Sequence, residues 1–445
     1  MSKIEPTPVQ PPAGNPNDPR YYDARDLEQE LARVFEICHN CRMCVNYCGT
    51  FPDVFGRIDR DIETRGAEGS ELLDATDFAS ATDHCWQCKI CYIKCPYTAD
   101  EGHEWMVDIP RQLAREKAQR TKRNGVTLQD AALGEPGKLG AANSGVIAPL
   151  VNFVNANRLI RKVMEKTAKI SAEFPLPPFA PQTFEKWLKH HDELEGAGDQ
   201  GEVAIFSTCL GDYNFPAVPA NATRVLEKNG FRVFRPYQVC GGMPNIDGGD
   251  VDAAKEKARI NVASLIAELD AGRQIVVVQP TCGYMLKKEY PELLGTADAK
   301  RVAEKTLDLM EFLELLRREK RLNREFETGL GKVAYHAPCH LRAQKIGTPG
   351  ARILGLLPDT EVDIIEQCSA VDGTWGMKSD YYEEGRKYAQ RLVRGVNDAI
   401  EGAKRSIVVS DCQLAGQRMK KENAVDVVHP VSALARAYGI EVGAE

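Results

Sequence analysis

From residue 202 onward, short apolar runs alternate with longer stretches of helical periodicity. EVAIFSTC (202–209), FRVFRPYQVC (231–240) and QIVVVQPTC (274–282), then KVAYHAPC (332–339), EVDIIEQC (361–368) and RSIVVSDC (405–412), are each rich in β-branched or aromatic residues, and each ends in a cysteine. Runs of this kind predict strands. Between them, DAAKEKARINVASLIAEL (252–269) and SDYYEEGRKYAQRLVRGVNDAI (379–400) place apolar residues at helical spacing. Strands alternating with helices imply parallel sheets. In open α/β sheets ligands bind beyond the carboxyl ends of strands, which is where all six cysteines fall. The pattern is also written twice: Cys209, Cys240 and Cys282 are 31 and 42 residues apart, and Cys339, Cys368 and Cys412 are 29 and 44 apart. Three thiols per half are therefore expected to converge on one crevice edge.

The N-terminal part follows another rule. DLEQELARVFEIC (26–38) is helix-compatible and enters CHNCRMCVNYC (38–48), and CWQCKICYIKC (85–95) repeats the same spacing. Each is a C-x2-C-x2-C-x3-C run, in which three thiolates wrap one cluster and the fourth ligates the other cluster of a two-cluster ferredoxin. This predicts two [4Fe-4S] clusters, one on Cys38, Cys41, Cys44 and Cys95, the second on Cys85, Cys88, Cys91 and Cys48. Structural zinc instead prefers separated pairs of ligands. The long polar, helix-compatible stretch between the runs suggests a helical two-cluster domain, resembling the helical ferredoxins of succinate dehydrogenase and its relatives.

Flanking segments add less. The first twenty residues hold six prolines and no apolar core, which predicts a disordered tail rather than a signal peptide. RQLAREKAQRTKR (111–123) carries six basic residues and one acidic; with the amphipathic stretch up to Ile170 it reads either as a contact for a membrane or an acidic partner or as a solvated helix face. FPLPPFAP (174–181) reads as a stiff connector, and His190 and His191 as solvent-exposed. GVIAPLVNFVNANRLI (145–160) is too interrupted to cross a membrane.

Composition bounds the function. The 57 Lys and Arg against 64 Asp and Glu leave a charge of -7, which removes any global case for nucleic acid binding. Fourteen cysteines in 445 residues are too sparse for a disulfide-stapled secreted scaffold. With no signal peptide a cytoplasmic address is expected, where thiols serve as metal ligands. Neither a Rossmann fingerprint nor a Walker loop is present, so a chain of single-electron sites without a hydride carrier needs a redox partner.

TCLGDYNFP, RPYQVCGGMP and QPTCGYMLKKEYPELL, followed by YHAPCHLRAQ, IEQCSAVDGTWGMK and SDCQLAGQRM, resemble the cysteine-rich CCG domains of the iron-sulfur subunits of heterodisulfide reductase, glycolate oxidase and anaerobic glycerol-3-phosphate dehydrogenase. The resemblance implies a multidomain chain: a tail (1–21), a helical two-cluster ferredoxin domain (22–124), a helical and Pro-rich linker (125–201), and an α/β pseudo-twofold repeat of two CCG halves (202–325 and 326–445). It also implies an iron-sulfur electron-transfer subunit that carries electrons from a flavoprotein dehydrogenase or other redox protein to an acceptor such as membrane quinone, peripheral on the cytoplasmic face. A heterodisulfide reductase-like enzyme acting at the CCG sites is the alternative, as is an electron donor to a rubrerythrin-type peroxide reductase. Both triplets are degenerate, since Gly241 follows Cys240 and Ser369 follows Cys368. Each half then has three thiols for a further Fe-S cluster, and Asp212, Asp372, His336 and His340 are the nearby side chains that offer a fourth ligand.

Overall fold

In the computed structural model, which describes residues 4–371 and 373–443, the helix entering the first cysteine run is α1 (Ala24–Cys41). The Asp23 carboxylate caps it by accepting from the main-chain N–H groups of Arg25 and Asp26. Leu27, Leu31, Val34 and Phe35 recur at helical spacing and are buried. So are Phe51, Val54, Phe55 and Ile58 of α2 (Thr50–Arg65). α3 (Ala75–Asp83) begins in a capping box between Asp74 and Asp77, and its Phe78 stacks on Phe35 with centroids 6.2 Å apart. α4 (Ile90–Ile93) lies within the second cysteine run, and α5 (Ile109–Asn124) follows it. Each side chain fully buried in this way contributes about 1.5–3 kcal/mol. These helices, with residues 244–254, form one of two units; the other comprises residues 132–243 and those from 255 onward.

Two expectations for the first unit need correction. Residues 4–23 form no regular element, yet Ala13 and Tyr21 are buried and the stretch is pinned. The Arg33 guanidinium donates to the carbonyl of Pro6 and, at 2.8 Å, to that of Trp105. Arg115, fully buried on α5, donates to the carbonyl of Tyr21 at 2.8 Å and pairs with Asp26 at 2.8 Å. Proline prevents a helix here but leaves carbonyls free to accept, and buried guanidinia use them. The basic stretch 111–123 is only in part a solvated face: Arg115 is buried and Arg120 pairs with Asp83 at 2.6 Å, while Lys122, over the Tyr22 ring at 3.7 Å, and Arg123 are exposed.

The second unit carries two four-stranded parallel sheets. The first contains β1 (Gly201–Phe206), β2 (Phe231–Phe234), β3 (Gln274–Val277) and β4 (Thr306–Asp308) in the order β2-β1-β3-β4. The second contains β5 (Gly331–His336), β6 (Thr360–Ile365), β7 (Ser406–Ser410) and β8 (Val427–Val428) in the order β6-β5-β7-β8. The order and the registers correspond, Gly201 opposite Phe231 in one and Gly331 opposite Thr360 in the other. In each, the chain steps to one side of the first strand and then to the other, creating a switch point where ligands bind. Val203, Ile205 and Val276 share one buried cluster with Val333, Tyr335 and Val409, so the halves have a common core.

The stretch expected as a linker belongs with this unit from residue 132 onward. It forms α6 (Pro136–Asn143), α7 (Ala148–Ala156) and α8 (Arg158–Ala168). The Pro-rich connector then straps the sheets: Ser171 N–H donates to Met377 O at 2.8 Å, Ala180 N–H donates to Tyr213 O at 2.7 Å, and Phe174 is buried. His191 is not solvent-exposed as expected, for its Nε2 lies 2.6 Å from the buried Glu227 carboxylate; His190 is exposed.

Candidate metal centres

In the first unit the two cysteine runs share one backbone feature, although Cys38–Cys41 ends α1 whereas residues 85–89 are not helical and Gln87 is also left-handed, at φ 52°. The residue after the second cysteine adopts the left-handed conformation in both, Arg42 at φ 53° and Lys89 at φ 63°, a geometry that costs a non-glycine residue roughly 1–2 kcal/mol. Repeated at equivalent positions of both runs, the reversal turns successive thiols toward one point.

The thiols then sort into two sets. Cys38 is pushed well up by burial and, after that, by Cys95, Cys44 and Cys41. Burial pushes Cys44 up to about 12, with Cys95 and Cys41 adding to it. Cys38, Cys41, Cys44 and Cys95 also line one cavity, with Phe51, Phe55 and Ile109 and with Cys91 of the other set. In the other set, burial and then Cys85 push Cys48 up, although the main-chain N–H groups of Thr50 and Phe51 oppose the shift. Cys91 is raised by burial, then by Cys88, Cys48 and Cys85. Each run thus lends its fourth cysteine to the other. The sets are neighbours, since Cys91 is also raised by Cys44.

Four thiols crowded on one another cannot all ionise without a cation among them. The charge of a bound metal centre removes that obstacle and deprotonates coordinating thiols outright. Four sulfur donors per set, apolar walls and inward turns fit an iron-sulfur cluster. Among the described residues no three Cys, His, Asp or Glu side chains close on the position of a single metal ion.

In the second unit the cysteines lie just beyond their strands rather than in them. Cys209 and Cys282 fall in the short helices Thr208–Tyr213 and Pro280–Tyr284, which follow β1 and β3, and so flank the switch point. Cys240 lies in the loop after β2. Cys209 and Cys240 are hydrogen-bonded to each other, which holds Cys209 up and Cys240 down, and Lys257 also favours the charged form of Cys240. Cys282 is raised by burial, then by Cys240. α6 crosses this triad so closely that a Cβ at Gly137 would stand 3.6 Å from Cys240 Cβ and 3.8 Å from Cys209 Cβ.

Comparison with known proteins places these features. The family described as the citrate utilization protein B Fer4-like domain matches residues 29–123, and the cysteine-rich domain family, CCG, matches 203–287. The C subunit of anaerobic glycerol-3-phosphate dehydrogenase from Escherichia coli (strain K12) is 27% identical over 337 residues, 73% of this chain and 80% of that protein. The glycolate oxidase iron-sulfur subunit of the same organism is 24% identical over 409 residues, 87% of this chain and 90% of its own length. Lactate utilization protein A of Geobacillus kaustophilus is 30% identical over 188 residues, 40% of this chain and 75% of its own. The chain belongs to the family of CCG-domain iron-sulfur subunits.

Against the CCG pattern, the missing thiol of the first half has a definite place. A Cβ at Gly241 would approach Cys282 Sγ to 3.0 Å, so this position faces the triad with hydrogen in place of a thiol. Its loop is held by Asn261, which accepts from Val239 N–H at 2.9 Å and is bonded to the Tyr290 hydroxyl at 2.8 Å; that hydroxyl donates to Gly241 O at 3.1 Å. In the second CCG half, Cys339 opens the helix Cys339–Ala343, Cys412 precedes Gln413–Asn423, and Cys368 Sγ accepts from Ala370 N–H at 3.2 Å. Cys412 crosses toward the first half: it raises Cys282, and Gln279 Nε2 lies 3.8 Å from its Sγ.

The proposed fourth ligands are used otherwise. Asp212 pairs with Arg235 at 2.5 Å and accepts from Ser207 Oγ at 3.0 Å. His336 contacts Ser410 Oγ through Nδ1 at 2.9 Å and Gln367 O through Nε2 at 3.1 Å, and burial depresses its pKa to about 4. It is a neutral strut between the loops of Cys368 and Cys412. His340 bonds Thr281 Oγ1 at 3.0 Å and stacks on Tyr284, tying the Cys339 helix to the Cys282 helix. Asp372 lies outside the described residues. Sequence reading missed Asn261, Tyr290 and Lys257, whose own helical or apolar surroundings give no sign that they support a cysteine elsewhere.

Proposed function

We propose that the chain is an electron-transfer subunit. In this reading Cys38, Cys41, Cys44 and Cys95 hold one [4Fe-4S] cluster and Cys48, Cys85, Cys88 and Cys91 a second. Cys209, Cys240 and Cys282 hold a further centre, with Cys339, Cys368 and Cys412 as its counterpart. Such clusters, when bound, supply one-electron oxidation and reduction. The observation that carries the reading is the interlocking of the two thiol sets, which brings Cys91 close enough to feel Cys44.

The protein's own residues divide access. Cys41 is exposed and Met43 beside it is about half exposed, whereas Cys48 is buried. The first set is therefore the open one, where a redox partner gains contact, and Phe51 and Phe55 keep water from its inner side. The relatives carry the names of a dehydrogenase subunit and an oxidase subunit, which supports a flavoprotein dehydrogenase as donor, with an acceptor such as membrane quinone. The glycine at 241 leaves the first half one thiol short of the CCG triplet and weighs against disulfide reduction there.

Iron and sulfide analysis of anaerobically purified protein, with EPR after reduction, tests this. Two clusters require about eight irons per chain, and fewer than about six would sink the ferredoxin assignment. Co-purification of a flavoprotein that reduces the chain supports the donor; disulfide reductase activity of the chain alone would overturn the carrier reading.

A further inference from the structure

Directly after the second cysteine run, YTADEGHEWMV (97–107) folds as a closed loop around one short 3-10 turn, Ala99–Glu101. Val107 N–H donates to Tyr97 O at 2.9 Å and so joins the two ends. Between them Gly102, left-handed at φ 71°, reverses the chain, and its N–H donates to Ala99 O at 2.9 Å. Compact surface loops with adjoining ends, filled by their own side chains, are frequently functional. The filling here is aromatic: the Tyr97 ring lies 4.8 Å from that of Trp105 and 5.1 Å from that of His103, between centroids. Trp105 is held in turn, for its N–H donates to His103 Nδ1 at 3.1 Å and its carbonyl accepts from the buried Arg33 at 2.8 Å. Tyr97 is therefore fixed in place by the loop it begins.

That placement aims two donors of one residue at the first thiol set. Tyr97 lines the cavity shared by Cys38, Cys41, Cys44 and Cys95. Its main-chain N–H donates to Cys95 Sγ and its hydroxyl to Cys41 Sγ, and the Cys41 charge holds that hydroxyl above the usual tyrosine range. Cys41 is the exposed thiol of the set, and Tyr97 is half-buried. The second set draws on other donors: Gln87 Nε2 lies 3.4 Å from Cys85 Sγ, and Cys48 accepts from the N–H groups of Thr50 and Phe51. Both sulfur partners of Tyr97 thus belong to the first set. A cluster that gains an electron gains negative charge, part of which resides on its ligand sulfurs, so a donor to those sulfurs favours the reduced form.

We propose that the Tyr97 hydroxyl raises the reduction potential of the cluster held by Cys38, Cys41, Cys44 and Cys95 and leaves the second cluster unaffected. Tyr97 tunes and exchanges no electron itself; the loop keeps its hydroxyl on a sulfur that water would otherwise reach. A raised potential at the open set favours entry of electrons there from a redox partner. The inference rests on the reading of this thiol set as a cluster site.

An EPR-monitored redox titration of the full, cluster-loaded chain is the test. Tyr97→Phe is the informative variant, because phenylalanine keeps the ring against His103 and Trp105 and removes only the hydroxyl. Cys41→Ser, which changes the ligand atom itself, marks the signal that belongs to the first set. In Tyr97→Phe that signal should titrate at a lower potential. Read at the midpoint of the unaltered protein, its ratio of reduced to oxidised centre should fall about fivefold, the scale of one hydrogen bond. The other signal should stay where it is. After exchange into deuterated water, pulsed EPR should show a deuteron coupling at the first cluster that Tyr97→Phe lacks. An unchanged midpoint in Tyr97→Phe overturns the proposal, as does an equal shift of both signals. A shift in Tyr97→Ala with none in Tyr97→Phe assigns the residue to packing and also overturns it. Unchanged iron content and visible spectrum verify that the Tyr97 variants hold their clusters. Loaded clusters without the shift defeat this inference alone, whereas a chain that binds no iron defeats the electron-carrier reading and this inference with it.

Discussion

The two CCG halves share strand order, register and cysteine spacing, and they differ in what surrounds the cysteines. In the first, the free thiols of Cys209 and Cys240 are hydrogen-bonded to each other beside Lys257 and against α6. In the second, the loops of Cys368 and Cys412 are braced by a buried histidine. The contrast is sharpest at the equivalent strand ends, where β1 closes on Phe206 and β5 on His336, both almost wholly buried. A repeated fold thus preserves where thiols emerge, because strand order sets the switch point, while leaving each half free to vary the groups that fix and polarise them.

The largest expected effect separates the halves by metal content. Cys240→Ala should remove the iron of the first half, a loss of about three to four atoms if a cubane is held there. Cys368→Ala, measured beside it, shows whether the second half holds an equal share; unchanged iron in both variants would make the CCG region a structural or docking element.

The next concerns acid. His336 and His429 both belong to the second half, and burial depresses them to about 4 and about 3. Below the usual histidine pKa of about 6.5 the unfolded chain takes up protons that the folded one refuses, so stability falls with falling pH, by about 1.4 kcal/mol per pH unit for each histidine. For His336 the loss runs from about 6.5 down to about 4 and then stops. His336→Phe should lower stability at pH 7 by about 1–3 kcal/mol, through the unpaired Ser410 and Gln367 groups, yet flatten the acid limb of the denaturation curve. An unaltered acid limb would remove His336 from the account.

Restoring the triplet is a smaller perturbation. A Cβ at residue 241 would stand 3.0 Å from Cys282 Sγ, close to the separation across a disulfide. Iron-free Gly241→Cys, once oxidised, should lose two titratable thiols and gain a 241–282 cross-link in its peptide map; Ser369→Cys offers the same test in the second half. The smallest effect is expected from Lys257→Gln, which should slow alkylation of Cys240 in the iron-free protein by a few fold by withdrawing a nearby positive charge, with Cys339 unaffected as the control.

Much of this architecture was legible because the chemistry is local. Two or three residues between successive thiols of a run, or a cysteine closing a β-branched segment, is a pattern that no tertiary contact has to supply. Six strands could be read from such segments, whereas β4 and β8, at three and two residues, are too short to carry a periodicity. The turns at Arg42 and Lys89 gave no signal, since neither position holds the glycine that a left-handed conformation favours. The tail, the basic stretch and His191 were misread for one reason: each was judged by its own solubility, and each is held by a partner distant in sequence, Arg115 with Tyr21 or His191 with Glu227.

The amino-acid sequence by itself determined the number, spacing and pairing logic of the cysteines and the duplication of a parallel α/β half, because those depend on residue type at short range. Only the tertiary structure decided that His336 is a strut rather than a ligand and that Cys412 reaches toward the other half. Those outcomes are set by burial and by which groups meet across the fold, and a hydrogen bond such as that between His336 and Ser410, 74 positions apart, leaves no mark on either one's neighbours in the chain.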